Sequence, residues 1–240
     1  MKERKNEEKP MRNEYELQFK QEYKRWQEKI SLKNSFSMEQ LEYVAGVDVV
    51  EWSENAKDYG ICCISVLNYR TKELLERVEY AGRIDLPYIS GYRALRQLPL
   101  VLEAQKKLKH EPDLYFFNGN GYLNQFPMGI ATLAAFYLRK PSIGAAKNGP
   151  RAKGLSYTKP PSVIGKFTDI MADTAVCGAV VCTKKNAHPV FVTCGNWIDL
   201  KTSIQLVLSL SERTHPLPLP IRYAQMATRE GKVKYENIIH

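Results

Sequence analysis

Four places in this chain bring chemistry-bearing residue types together with backbone that could serve them. Asp48 is a single acid inside the apolar run VAGVDVV, residues 44–50. A carboxylate there calls for a metal, a catalytic task, or backbone donors at a strand end. Asn118-Gly119-Asn120-Gly121 follows the apolar run LYFF, residues 114–117. A glycine-rich turn at the carboxyl end of a strand lets backbone approach a ligand closely, although it can also be only a tight turn. Lys147 closes a second short run, SIGAA, where it can reach a phosphate or stay solvated. In Pro87-Tyr88-Ile89-Ser90-Gly91, a tyrosine with proline before it and glycine three residues later either stacks on bases or packs on the surface.

Metal-assisted phosphodiester cleavage needs several carboxylates converging within a few ångströms. Besides Asp48, the helix expected after Gly91 offers Gln97, and the central strand end offers Asn118. Both are amides, neutral and poorer Mg²⁺ ligands than carboxylates. Glu51 is a nearby acid, but strand alternation turns it to the face opposite Asp48. The four histidines lie outside these groups and receive no chemistry.

The elements that must position these residues can be read from periodicity. Residues 1–12 are polar and of mixed charge, expected to be a frayed or disordered tail before a single domain over 13–240. Tyr15, Phe19, Tyr23, Trp26 and Ile30 recur at three or four and mark an amphipathic helix. Three apolar runs, near 44–50, 59–69 and 73–82, are joined by short links and predict an antiparallel meander. A helix is expected over about 92–109, stopped by Pro112. The central stretch reads as strand 114–117, helix 128–138 and strand 142–146, a crossover unit whose ligands belong at the carboxyl ends of its strands. Residues 148–162 read as an exposed loop. Strands are expected around 175–183 and 189–195, then a helix over 200–211 capped by Asp199, and after three prolines a short last helix starting near Ile221. This order resembles a ribonuclease H-like α/β layout, with a mixed sheet between helices.

Composition adds bounds. A chain of 240 residues with 44% hydrophobic residues can bury a sizeable core. The net charge of +9 favours an anionic partner, nucleic acid above all. No apolar run approaches the roughly 20 residues that span a bilayer. Five cysteines without a C-x-x-C pair indicate neither a zinc knuckle nor a disulfide frame, so a reduced, cytoplasmic setting is expected.

Five segments in order resemble the endonuclease V family, nucleases that nick DNA or RNA near deoxyinosine or inosine. They are VAGVDVV, LPYISGYRALRQLP, FNGNGYLNQFPMGIATLAAF, KPSIGAAKN and HPVFVTCGNWIDL. The resemblance spans about 40–228. It implies that the family's first metal aspartate falls on Asp48 and its lysine on Lys147. Its metal glutamate falls on Gln97, its second aspartate on Asn118, its late histidine on Asn196, and a further histidine on Asn124. It implies a strand-separating wedge at Pro87, Tyr88 and Ile89, with Ser90 where the family has proline, and a base pocket lined by Gly91, Gly119 and Gly121. Nucleic acid, inosine-containing, is the implied partner. Mg²⁺ is the implied cofactor if the chain cuts, with a weak or absent site at Asp48; a monomer is favoured. Three functions are compatible with such a chain. They are binding of inosine-containing or single-stranded nucleic acid with little or no cleavage, active Mg²⁺-dependent cleavage in repair, and recruitment of the fold to another ligand or a protein partner.

Overall fold

The structure is a computed structural model that describes residues 2–124, 128–150, 152–212 and 214–239, with side chains from Asn13 to Asn237. Its centre is a nine-stranded sheet in the order β3-β2-β1-β4-β5-β9-β8-β7-β6. Strands β1 (Tyr43–Glu54), β2 (Lys57–Asn68) and β3 (Leu74–Ile84) form the expected antiparallel meander. β1 pairs in parallel with β4 (Leu114–Phe117), and β4 with β5 (Ser142–Ala146). β5 then pairs antiparallel with β9 (Val190–Asn196), and β8 (Ala175–Val181), β7 (Phe167–Ala172) and β6 (Leu155–Tyr157) follow antiparallel. The sheet is therefore mixed, as the element order predicts.

Strand alternation divides the core in two. On one face Ala45, Val47, Tyr115 and Phe117 meet three helices: α1 (Lys2–Gln27), α2 (Arg93–Gln105) and α3 (Ile130–Leu138). On the other, Val44, Leu114, Phe116 and Ile143 meet α4 (Leu200–Ser209) and the start of α5 (Leu219–Ile239). Asp199 caps α4 by accepting from Thr202 N, as expected. Gly46 lets α5 lie directly on β1, since a Cβ there would fall 2.0 Å from the Pro220 carbonyl. Ser65 Oγ fixes the same approach by donating to Pro220 O at 2.6 Å.

Four elements differ from the expectation. The stretch 148–162 contains β6, the edge strand, and β7 beside it was not expected; both are short, with polar residues among the apolar ones. The last helix is 21 residues long rather than short, because Ile221, Ala224, Ala227 and Thr228 form a buried stripe against the sheet. Residues 2–12 of the expected tail fall on the first turns of α1, whose tertiary anchors are Phe19 and Tyr23, and Met1 lies outside the described residues. All five cysteines are free. No helix among the described residues is long and apolar enough to cross a membrane.

Candidate nucleic-acid interface

Asp48 lies in the middle of β1, only 4% exposed, on the face covered by α5. Asn118 Nδ2, at the carboxyl end of adjacent β4, donates to Asp48 Oδ1 at 2.6 Å. Thr228 Oγ1, fully buried on α5, donates to Asp48 Oδ2. Both carboxylate oxygens thus have a neutral donor. Parallel pairing of β1 with β4 brings Asp48 and Asn118 together, and Asn118 N–H itself extends that ladder to Val47 O at 2.9 Å.

Glu51 sits three residues along β1 and faces α2 instead. Gln97 Nε2 donates to its Oε1 at 2.8 Å, Arg93 Nε reaches the same oxygen at 2.7 Å, and Arg96 Nε reaches its Oε2 at 2.7 Å. Arg96 is buried and also pairs with Asp58 at 2.8 Å. The two amides that stand where acids were anticipated therefore pair with two different acids of one strand. Glu51 and Asp48 lie on opposite faces, as alternation requires.

Arg96 also donates to Leu86 O at 2.7 Å, which ties the ion-pair network to the loop carrying Pro87, Tyr88 and Ile89. Ile89 is buried, and Tyr92 N–H donates to Ile89 O at 3.0 Å. Gly91 closes the loop with φ 87°, a left-handed conformation that favours glycine. Tyr92 then packs its ring on Tyr23, centroids 4.9 Å apart. Tyr88 projects, 59% exposed, from a loop fixed at both ends.

The turn 118–121 is more internal than its composition suggests. A Cβ on Gly121 would lie 2.0 Å from Cys194 O. Its N–H donates to Thr193 Oγ1 at 2.7 Å and its carbonyl accepts from Gly129 N. Gly121 thus spends both backbone groups inside the fold, while Gly119 and Asn120 are half-buried. Asn124 adopts φ 61° just before residues 125–127, which lie outside the described residues.

Asn196 is not with Asp48. It is fully buried, and its Oδ1 accepts from Ser31 N at 2.8 Å, pinning the segment after α1. It pairs with Ser142 at the start of β5, whereas Lys147 follows the end of β5, roughly 16 Å further along the strand. The late motif position therefore sits toward the other end of the sheet.

Lys147 is half-buried and unaccompanied by any carboxylate among the described ion pairs. Its Nζ lies 3.1 Å from Nε2 of His215. Burial and then the charge of Arg229 push the lysine below its usual range. Burial, followed by Lys147, Arg222 and Lys184, lowers His215 likewise. Arg229 is the neighbour of Thr228 on α5, so this basic group adjoins the Asp48 cluster. Thr228 and His215 are the two contributors that sequence reasoning missed. A continuing apolar stripe past Ile221 could have revealed the helix bearing Thr228; nothing local marks His215.

The endonuclease V family profile matches residues 24–226. The chain belongs to the endonuclease V family. Endonuclease V of Bacillus thuringiensis is 45% identical over 206 residues, covering 86% of this chain and 88% of the relative. That of Bacillus subtilis is 42% identical over 208 residues, 87% of each. The crystal structure of a Bacillus subtilis endonuclease V superposes with a TM-score of 0.88 at 41% identity, covering 92% of this chain and 94% of that one. The fold is thus the ribonuclease H-like α/β fold of endonuclease V. Endonuclease V of Ciona intestinalis, solved in complex with a 24mer DNA containing an inosine followed by a ribo-adenosine, shares the fold at 24% identity and a TM-score of 0.79, covering 93% and 99%.

Mg²⁺ is the metal the family implies for cleavage. Among the described residues, no group of three His, Cys, Asp or Glu is placed to hold a metal ion. Among the described residues, the side chains hydrogen-bonded to Asp48 are Asn118 and Thr228, which present N–H and O–H to it rather than a further carboxylate.

Proposed function

We propose that this endonuclease V relative binds inosine-containing nucleic acid and does so without Mg²⁺-dependent cleavage. The observation that carries the reading is the closure of Asp48 by Asn118 and Thr228. A divalent ion entering there would displace two hydrogen bonds and find one carboxylate. Two ions bring four positive charges, and Asp48 balances one of them. The residues present do not fit the metal, so no cleavage step is derived through it.

The binding half of the proposal rests on features that need no metal. The projecting Tyr88 can stack on an unpaired base, a contact tolerant of sequence. The exposed Gly91 and half-buried Gly119 offer backbone near the path of a base turned out of its stack. Lys147 and the chain's excess of basic residues suit a phosphate backbone. Inosine is the ligand suggested by family membership and by the DNA in the Ciona complex.

The test measures nicking and binding together. The protein is incubated with inosine-containing and plain oligonucleotides, with Mg²⁺, Mn²⁺ or chelator. Retention of the inosine strand at low salt, unaffected by chelator and with no nicked product, is expected. Robust nicking that Asp48→Ala abolishes would sink the non-cleaving reading. Absence of binding at low salt would sink the nucleic-acid reading and favour recruitment of the fold to another partner.

A further inference from the structure

The contact between Lys147 and His215 is unusual in what it joins. His215 Nδ1 accepts the backbone N–H of Leu217 at 3.2 Å. The neutral ring therefore carries its proton on Nε2, the nitrogen that lies 3.1 Å from Lys147 Nζ. An ammonium and a ring N–H thus face each other, two donors with no acceptor between them among the described residues. Protonating the ring would not relieve this, because it would add a second charge and disrupt the Leu217 bond.

The surroundings make the pair more, not less, in need of an anion. Lys184, from the connection between β8 and β9, donates to Thr214 O at 3.0 Å. Arg222 on α5 donates to Thr214 Oγ1 at 3.2 Å and pairs with Glu212 at 3.1 Å. Arg229, also on α5, bears on Lys147. Among the described residues, the acid paired within this group is Glu212, and it is engaged by Arg222. Four cations and a histidine therefore converge on the end of β5 from three elements.

We propose that Lys147 and the neutral Nε2–H of His215 together form a phosphate-binding site, in which one phosphate oxygen accepts from both. The proposal deepens the nucleic-acid reading and rests on it for the source of the phosphate; free inorganic phosphate has the same chemistry. His215 acts here as a neutral donor, Lys147 as the charge.

Those roles separate in the salt dependence of oligonucleotide binding. Lys147→Ala removes one phosphate contact made by a cation, so the slope of log affinity against log salt falls by about 0.7–0.9. His215→Ala removes a hydrogen bond to a charged group, weakening binding about tenfold or more with the slope unchanged. His215→Gln, which keeps an N–H donor, should recover part of the loss. Thermal unfolding of each variant identifies any that fail to fold. Independently, inorganic phosphate titrated into the unaltered protein should shift the His215 ring resonances in NMR, and should not do so in Lys147→Ala.

Unchanged oligonucleotide affinity in folded His215→Ala, or a slope change as large as that of Lys147→Ala, would overturn the assignment while leaving nucleic-acid binding intact. Phosphate shifts at His215 without oligonucleotide binding would uphold the site and overturn the nucleic-acid source. Neither response would overturn both.

Discussion

Asn118→Asp puts the sharpest strain on the reading of the Asp48 cluster. At present an amide N–H donates to Asp48 across 2.6 Å, in a site where Asp48 is 4% exposed. The substitution replaces that donor by a second carboxylate. Removing a hydrogen bond to a charged group costs about 1.5–3 kcal/mol. Two unit charges about 4 Å apart repel by about 4 kcal/mol at an effective dielectric constant of 20. Proton capture limits the total, because holding an ordinary carboxyl protonated at neutral pH costs about 4 kcal/mol and restores an O–H donor. A net loss of about 3–4 kcal/mol at pH 7 in chelator follows, or roughly 6–15 °C in Tm for a domain of this size. The carboxyl pair has a folded pKa raised above its unfolded value. Its favourable share of stability is present below the unfolded pKa and lost as pH rises through the folded one, so the deficit should shrink toward pH 4–5. Thermal unfolding of both proteins at pH 7 and pH 5 measures this. Mg²⁺ should recover part of the deficit in the variant and leave the parent unmoved. A variant that unfolds within a degree of the parent at pH 7 would show that the Asn118–Asp48 hydrogen bond is not what holds the cluster.

Other perturbations probe the remaining parts. Tyr88→Ala should weaken oligonucleotide binding by about 1–3 kcal/mol, the worth of one stacked base, with Tm unchanged; equal affinity in a fluorescence titration would remove Tyr88 from the interface. Arg96→Met leaves Asp58 and one oxygen of Glu51 without their buried partner, and should cost about 3–5 kcal/mol in urea unfolding. Glu76→Gln tests a pH dependence. Burial works to raise that carboxyl, but backbone N–H groups of His110 and Lys109 and the His110 ring outweigh it and hold it below its usual range. Such a group contributes stability above its unfolded pKa and loses it as pH falls through the folded pKa, so the variant should be less stable at pH 7 and no different near pH 3.

Much of this arrangement was legible in the sequence because it is local or periodic. An acid inside an apolar strand, a glycine turn after a four-residue strand and a lysine after the next strand needed only parallel pairing to meet at one end of the sheet. Glu51 was separable from Asp48 by alternation alone. Asn196 was misplaced because a motif at a strand end does not tell which end of the sheet that is. β9 runs antiparallel to β5, so its carboxyl end lies with the beginning of β5 and away from Lys147. Gly121 resembled a pocket glycine, yet its missing Cβ is required by the Cys194 carbonyl. Thr228 and His215 were invisible for a different reason. They lie 180 and 68 positions from their partners, and only tertiary packing brings them there.

On the proposed reading, the amides Asn118 and Gln97 change which kind of ligand the cleft requires. A cluster of carboxylates at one strand end is strained when empty, and a cation relieves it. With Asn118 and Thr228 donating to Asp48, that end of the sheet is satisfied without a cation. At the neighbouring strand, Lys147 and His215 present two donors with no acceptor between them among the described residues. Under the proposed function, the electrostatic demand at this end of the sheet thus falls on an anion rather than a metal. A fold with an exposed Tyr88, an excess of basic residues and an Asp48 closed by neutral donors is, on this reading, suited to hold a phosphate backbone rather than break it. On the proposed reading, chelator should leave nucleic-acid affinity untouched, and competing inorganic phosphate should lower it.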